Sequence, residues 1–313
     1  MSLSTLGFAR RDPDWLLDNL VLDDPETIIE EVSLFSDSGG GTIVDVTPEG
    51  MGRNSRGLVA AAEATNVHVI AGTGFYREPA HPAFVATTSE AELAKHLVTE
   101  LMDGISGSSV RAGIIGEIGL GTHLYGKNSY RSNGDSTDSG ITTQELKVLR
   151  AAGYASLATG APIMLHVWNF GPNNIAIRAI ETLTHLGVMV DRIVVAHADV
   201  RVDIEYCREV LASGCYLEFD MFGQENAIDS ALTEFPRDTE RVRLLKQLID
   251  AGYGSRLLVS HDVNTKAQLT AFGGWGLAHL SVNIEPRMAE AGIDSTAIFE
   301  LRQANPSRLL AWA

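Results

Sequence analysis

The sequence predicts an α/β fold built on a parallel sheet, and three observations carry that prediction. Seven short apolar runs recur between residues 42 and 262, longer segments with helical periodicity separate them, and glycines mark the returns from helix to strand. Strands joined by helical connections run parallel, with right-handed crossovers.

The runs are TIVDVT (42–47), VHVIAG (67–72), AGIIGEIG (112–119), PIMLHV (162–167), RIVVAH (192–197), CYLEFD (215–220) and LLVSHD (257–262). Each is apolar nearly throughout and too short for a buried helix, which fits strands covered on both faces. Asp24-Pro25 opens a helix with Ile28, Ile29, Val32 and Phe35 on one side, and Gly39 to Gly41 stop it. Ser89 with Glu92, and Thr142 with Glu145, have the spacing of capping boxes. Gly160, Gly187, Gly214 and Gly252 each close a helix just before a strand. An open doubly wound sheet and a closed barrel both fit this alternation. Seven units stand one short of the eight of a (β/α)8 TIM-type barrel, and VTPEGMGRN after the first run lacks the G-x-G-x-x-G spacing of a dinucleotide site, so the barrel is favoured.

The chain has 313 residues, 45% hydrophobic and 20% charged, enough for one large core and a single domain over 1–313. A formal charge of −16 argues against nucleic acid or an anionic membrane as partner and leaves a small-molecule substrate or cations. Cys207 and Cys215 suit buried reduced thiols rather than a disulfide framework. No signal segment and no run of about 18 apolar residues is present, so a cytoplasmic location is expected.

The strand ends carry Asp45, Glu117, His166, His197, Asp220 and Asp262. In a parallel barrel these ends share one face, the face on which catalytic residues sit. A carboxylate such as Glu117 at the end of an apolar run needs a cation or a hydrogen-bonded partner. Two imidazoles beside carboxylates make a donor set for Zn²⁺ or a similar divalent ion. His68, His96 and His185 read as structural, and His261, beside Asp262, should point to the other face and pack against a helix.

The stretches GGGTIVDVTPEGMGRN, VIAGTGFY, AGIIGEIG, LRAAGYASLATGAPIMLH, CYLEFDMFG, LLVSHDVNTKAQLTAFGGWGLAHL and NPSRLLA, taken in order, resemble the phosphotriesterase-related branch of the amidohydrolase superfamily over residues 12–312. The resemblance implies a (β/α)8 barrel with a two-metal centre, usually zinc, that hydrolyses phosphotriesters, lactones, carboxylic esters or N-acyl amides. It places Glu117 as the metal-bridging residue and His166 and His197 on the more exposed metal. Asp262 would bind the more buried metal and handle the proton of the attacking water.

One departure stands out. Family members begin with a strand ending in His-x-His, and this chain contains no His-x-His. Its opening, STLGFARRDPDWLLDNLVLDD, resembles the stretch that follows that strand. The expected domain is therefore an N-terminally incomplete barrel lacking the first strand, with seven recognisable βα units. Glu117, His166 and His197 would remain as a three-ligand site able to hold one zinc. Two readings follow: a metal-dependent hydrolase, or a non-catalytic small-molecule-binding protein or inactive remnant. Candidate substrate-binding residues are Tyr76 and His81 in GFYREPAHP, His123, Tyr125 and Arg131 in the long loop after Glu117, and Trp275 in FGGWG. MFGQENAIDSALTEFPRD is expected to close another side of the mouth. Open sheet edges predict self-association, with a homodimer as the simplest form.

Overall fold

The computed structural model describes residues 1–121, 140–168, 174–228 and 233–312. The seven apolar runs form β1 (Thr42–Asp45), β2 (His68–Thr73), β3 (Ala112–Leu120), β4 (Ile163–Val167), β5 (Ile193–Val195), β6 (Tyr216–Phe219) and β7 (Leu257–Val259). They pair in parallel and in consecutive order, from Thr42 opposite His68 to Leu217 opposite Leu257. Consecutive parallel order with a helix in each crossover rolls a sheet in one sense. One face of this curled sheet carries Ile114, Met164, Val194, Tyr216 and Leu258, packed against Leu309 from the C-terminal segment. The other face packs on the helices in a larger core that includes Leu97, Ile115, Leu149, Ile163, Val195, Leu217 and Leu257.

Among the described residues, β1 and β7 are the two edges, and no eighth strand joins them. The stretch expected to close the mouth after Asp220 holds a short antiparallel pairing of Ala227–Ile228 with Thr233–Glu234. No helix among the described residues is long and apolar enough to cross a membrane.

The main helices are α1 (Leu3–Arg11), α2 (Pro25–Asp37), α3 (Ser55–Thr65), α4 (Ala83–Thr87), α5 (Glu90–Met102), α6 (Thr143–Thr159), α7 (Ile175–His185), α8 (Ile204–Ala212) and α9 (Asp238–Asp250). Their starts follow the sequence signals. Asp24 caps α2 ahead of Pro25, and both expected capping boxes form, at Ser89–Glu92 and Thr142–Glu145. Gly160, Gly187, Gly214 and Gly252 all take the left-handed backbone that ends a helix before a strand.

Three strands, β5, β6 and β7, end before the polar residues predicted to close them, so His197, Asp220 and Asp262 lie beyond the ladder. His197 and Asp262 have φ of +58° and +46°, a conformation costly for any side chain except glycine. Both therefore sit on sharp bends at the C-terminal rim, and the folded chain has to hold them there.

Candidate metal centre

Glu117 comes from β3, His166 from β4 and His197 from the bend after β5, and their donor atoms converge. His166 Nδ1 lies 3.2 Å from Glu117 Oε1, His197 Nε2 lies 3.3 Å from the same oxygen, and the two ring nitrogens are 2.6 Å apart. Four-coordinate zinc binds imidazole nitrogen and carboxylate oxygen at about 2.0–2.2 Å, so its ligands sit about 3.3 Å from one another. The two contacts to Glu117 match that spacing, and the donor types match the ion.

The far nitrogen of each ring is also engaged. His166 Nε2 meets the Tyr76 hydroxyl at 3.1 Å, and His197 Nδ1–H donates to Asp220 Oδ1 at 2.9 Å. Such outer partners fix which ring nitrogen faces inward.

The charges interlock. Burial opposes ionisation of Glu117, yet the His166 and His197 rings hold its carboxyl well below the usual range. Burial pushes His166 down to about 4. Burial also acts against His197, but the Asp220 carboxylate and Glu117 keep it well above an ordinary histidine. Glu218, on the inner side of β6, is pushed far up by burial and then by the Asp220 charge. Burial pushes Asp262 up to about 7, with His197 opposing and Glu117 and Asp220 adding. Asp262 thus shares the field of the cluster but lies outside the group of three whose donor atoms meet.

The remaining sequence candidates divide. Tyr76 joins the site through His166, and the Arg77 guanidinium lies 5.0 Å from the centre of its ring. His81 turns away from the cluster, its Nε2 donating to the Tyr76 carbonyl at 2.7 Å, so it braces Tyr76. Trp275 stacks on His279 with centroids 4.8 Å apart and stays 48% exposed. His123, Tyr125 and Arg131 lie outside the described residues. Asp45 caps its own turn by accepting from Thr47 N at 3.1 Å. His261 is buried, and its Nε2 accepts from Leu280 N at 3.0 Å, the structural role expected of it.

A second group with metal-type donors, Glu49, His96 and Glu100, stands apart. Arg53 already holds Glu100 through two bonds of 2.6 and 2.7 Å, and Thr73 donates to it at 2.6 Å. The cation that this group needs is supplied by the chain itself.

Asp199 and Arg241 carry no mark in the sequence reading. Asp199 accepts the main-chain N–H groups of Asp220 and Met221, and the fully buried Arg241 lies against it with Nε 3.0 Å from Oδ2. The faint signal for Asp199 is its place two residues after His197.

The phosphotriesterase family pattern matches residues 1–310. The chain belongs to the phosphotriesterase family. N-acetyltaurine hydrolase of Danio rerio is 33% identical over 100% of this chain and 85% of its own length. A resiniferatoxin-binding protein from Rhodobacter sphaeroides is similar in structure, with TM-score 0.89 and 33% identity over 99% of this chain and 81% of that one. A mutant organophosphorus hydrolase from Deinococcus radiodurans gives TM-score 0.75 and 31% identity over 92% of this chain and 84% of that one. The Danio and Deinococcus relatives are hydrolases by name, and this phosphotriesterase-family chain is an enzyme of that hydrolytic kind.

Proposed function

We propose that the protein is a divalent-metal-dependent hydrolase of small N-acyl amides or related esters, with Glu117, His166 and His197 holding a zinc-class ion. The observation that carries this is the meeting of one carboxylate oxygen and two ring nitrogens, with Tyr76 and Asp220 on the far side of the rings. A bound zinc-class ion supplies Lewis acidity, which brings the pKa of a water from about 15.7 toward about 7.

The chain's own residues supply the rest. Asp262, pushed up to about 7, exchanges protons near neutrality, and it would take the proton of the attacking water and return it to the leaving group. Its main-chain carbonyl is gripped by Gln224 Nε2 at 3.0 Å and Gln268 Nε2 at 2.9 Å, which holds its left-handed bend in place. The Arg77 guanidinium, 5.0 Å from the centre of the Tyr76 ring, places a positive charge beside the residue that meets His166, and that charge would suit a substrate with an anionic end, in keeping with the N-acetyltaurine hydrolases among the relatives. Metal identity is taken as zinc from the donor types.

The test is metal content and turnover together. Protein purified without chelators should hold at least one zinc-class ion per chain and should hydrolyse N-acetyltaurine, a simple lactone or an organophosphate triester. Glu117→Ala and His197→Ala should lose activity and bind zinc too weakly to keep it through purification. Absence of metal and turnover in the unaltered protein would overturn the reading and favour the second one, a non-catalytic small-molecule binder. The specific support for that alternative is the resiniferatoxin-binding protein among the similar structures.

A further inference from the structure

We propose that Asp220 is the positioning residue of this centre, fixing the ring of His197 so that Nε2 faces Glu117 and His166; the proposal rests on the metal reading above. The bend at His197 puts a non-glycine residue in the left-handed region, where nothing local favours it. Asp220 grips that residue twice. Its carboxylate accepts the His197 main-chain N–H, at 3.0 Å to Oδ2 and 3.2 Å to Oδ1, and accepts the ring Nδ1–H at 2.9 Å. An imidazole that donates from Nδ1 to a carboxylate presents Nε2 as its free face. One side chain therefore sets both the backbone bend and the ring orientation of the same ligand.

Asp220 is itself held from behind. Its main-chain N–H donates to Asp199 Oδ1 at 3.1 Å, and Met221 N donates to Asp199 Oδ2 at 3.2 Å. Arg241 faces Asp199 with its charge, meets Asp238 Oδ1 at 3.1 Å and donates to the Gln224 carbonyl at 2.9 Å. Gln224 in turn holds the Asp262 carbonyl. A single buried guanidinium on α9 thus ties the support of His197 to the support of Asp262. Asp220 belongs to this supporting layer: its oxygens are engaged by His197, and it lies outside the group whose donor atoms converge.

The experiment is a zinc-affinity cycle, read by competition with a chelating dye, on the unaltered protein, Asp220→Ala, Asp220→Asn, His197→Ala and His197→Ala/Asp220→Ala. Asp220→Ala should weaken zinc binding about 10- to 100-fold, the loss typical when a ligand's outer partner is removed. Asp220→Asn, which keeps an acceptor for Nδ1–H, should recover part of that loss. In the His197→Ala background, removing Asp220 should change affinity by less than about threefold, because the group it positions is already gone. Equal losses in both backgrounds, or full affinity in Asp220→Ala, would overturn the proposal. If the unaltered protein takes up no zinc, the metal reading falls, and Asp220 is judged by the crystal structure of Asp220→Ala. A displaced His197 ring there supports the positioning role, and an unmoved ring refutes it.

Discussion

His96 and Glu49 show how much one exposed-edge contact can be read from physical chemistry alone. His96 Nε2 lies 3.0 Å from Glu49 Oε2, and this bond, against a smaller effect of burial, raises His96 above its ordinary 6.5. The same contact lowers Glu49 below its ordinary 4.5. The raised histidine contributes stability that is complete below its unfolded pKa and fades as pH rises through the folded value; the lowered carboxylate contributes above its unfolded pKa and fades as pH falls. The pair therefore stabilises most between about pH 4.5 and 6.5. His96→Gln should flatten the fall in melting temperature as pH rises above about 6.5, measured by thermal unfolding in matched buffers, and an unchanged profile would refute the assignment. The neighbouring Arg53–Glu100 pair is a different case, because both groups are buried and bound bidentately. Arg53→Met strands a buried carboxylate and should cost about 3–5 kcal/mol in a urea titration. At this scale the sequence revealed donors and hid their partners. Glu117, His166 and His197 were legible because each is the last polar group on an apolar run. Arg241 was not, because a charge on an amphipathic helix looks like any solvated charge, and its partner Asp199 lies 42 positions earlier on another bend.

Among the elements, β3 does the most to shape the site, and it does so by leaving space. A Cβ built on Gly119 would lie 2.3 Å from Arg77 N and 2.4 Å from the Tyr76 carbonyl carbon, distances no side chain tolerates. The strand passes this close to the Tyr76 segment only because residue 119 has no side chain. Gly119→Ala should push Tyr76 off His166, so metal retention and turnover should fall further than the melting temperature does; a variant with wild-type turnover would contradict this. The start of α6 offers a cleaner stability test. Thr142 Oγ1 accepts from Glu145 N at 3.1 Å, while Glu145 Oε2 accepts from Thr142 N at 3.0 Å and from Gly121 N at 3.1 Å. Thr142→Ala should cost about 1 kcal/mol by denaturant unfolding. Capping boxes and helix-ending glycines were readable because their signals are local. Strand ends were overrun for a related reason: RIVVAH and LLVSHD continue past β5 and β7, since tertiary bonds to Asp220, Gln224 and Gln268 impose left-handed bends that no alternation pattern encodes.

An ion held at the rim would join three consecutive strands of the sheet, β3, β4 and β5, and so would add to the stability of the whole molecule. On the opposite side the C-terminal segment helps close the structure: Leu309 fills the inner face, Trp312 Nε1 donates to Gly113 O at 2.7 Å, and Asn305 Nδ2 donates to Leu257 O at 2.7 Å. At the rim, Glu117, His166 and His197 bring together β3, β4 and the bend after β5, and their mutual contacts leave a partly buried carboxylate balanced by two buried rings. A divalent ion that binds this arrangement and not the unfolded chain adds stability of RT ln(1 + [L]/Kd), about 2.7 kcal/mol when free ion stands at 100 times Kd. For a domain of 313 residues that corresponds to a rise of about 4 °C in Tm. Treatment with a chelator should therefore lower the Tm of the unaltered protein by about that amount, and zinc should restore it. His197→Ala should begin near the lowered value and respond little to either reagent. A Tm indifferent to chelator and zinc in the unaltered protein would mean that the three donors meet as a hydrogen-bonded network alone.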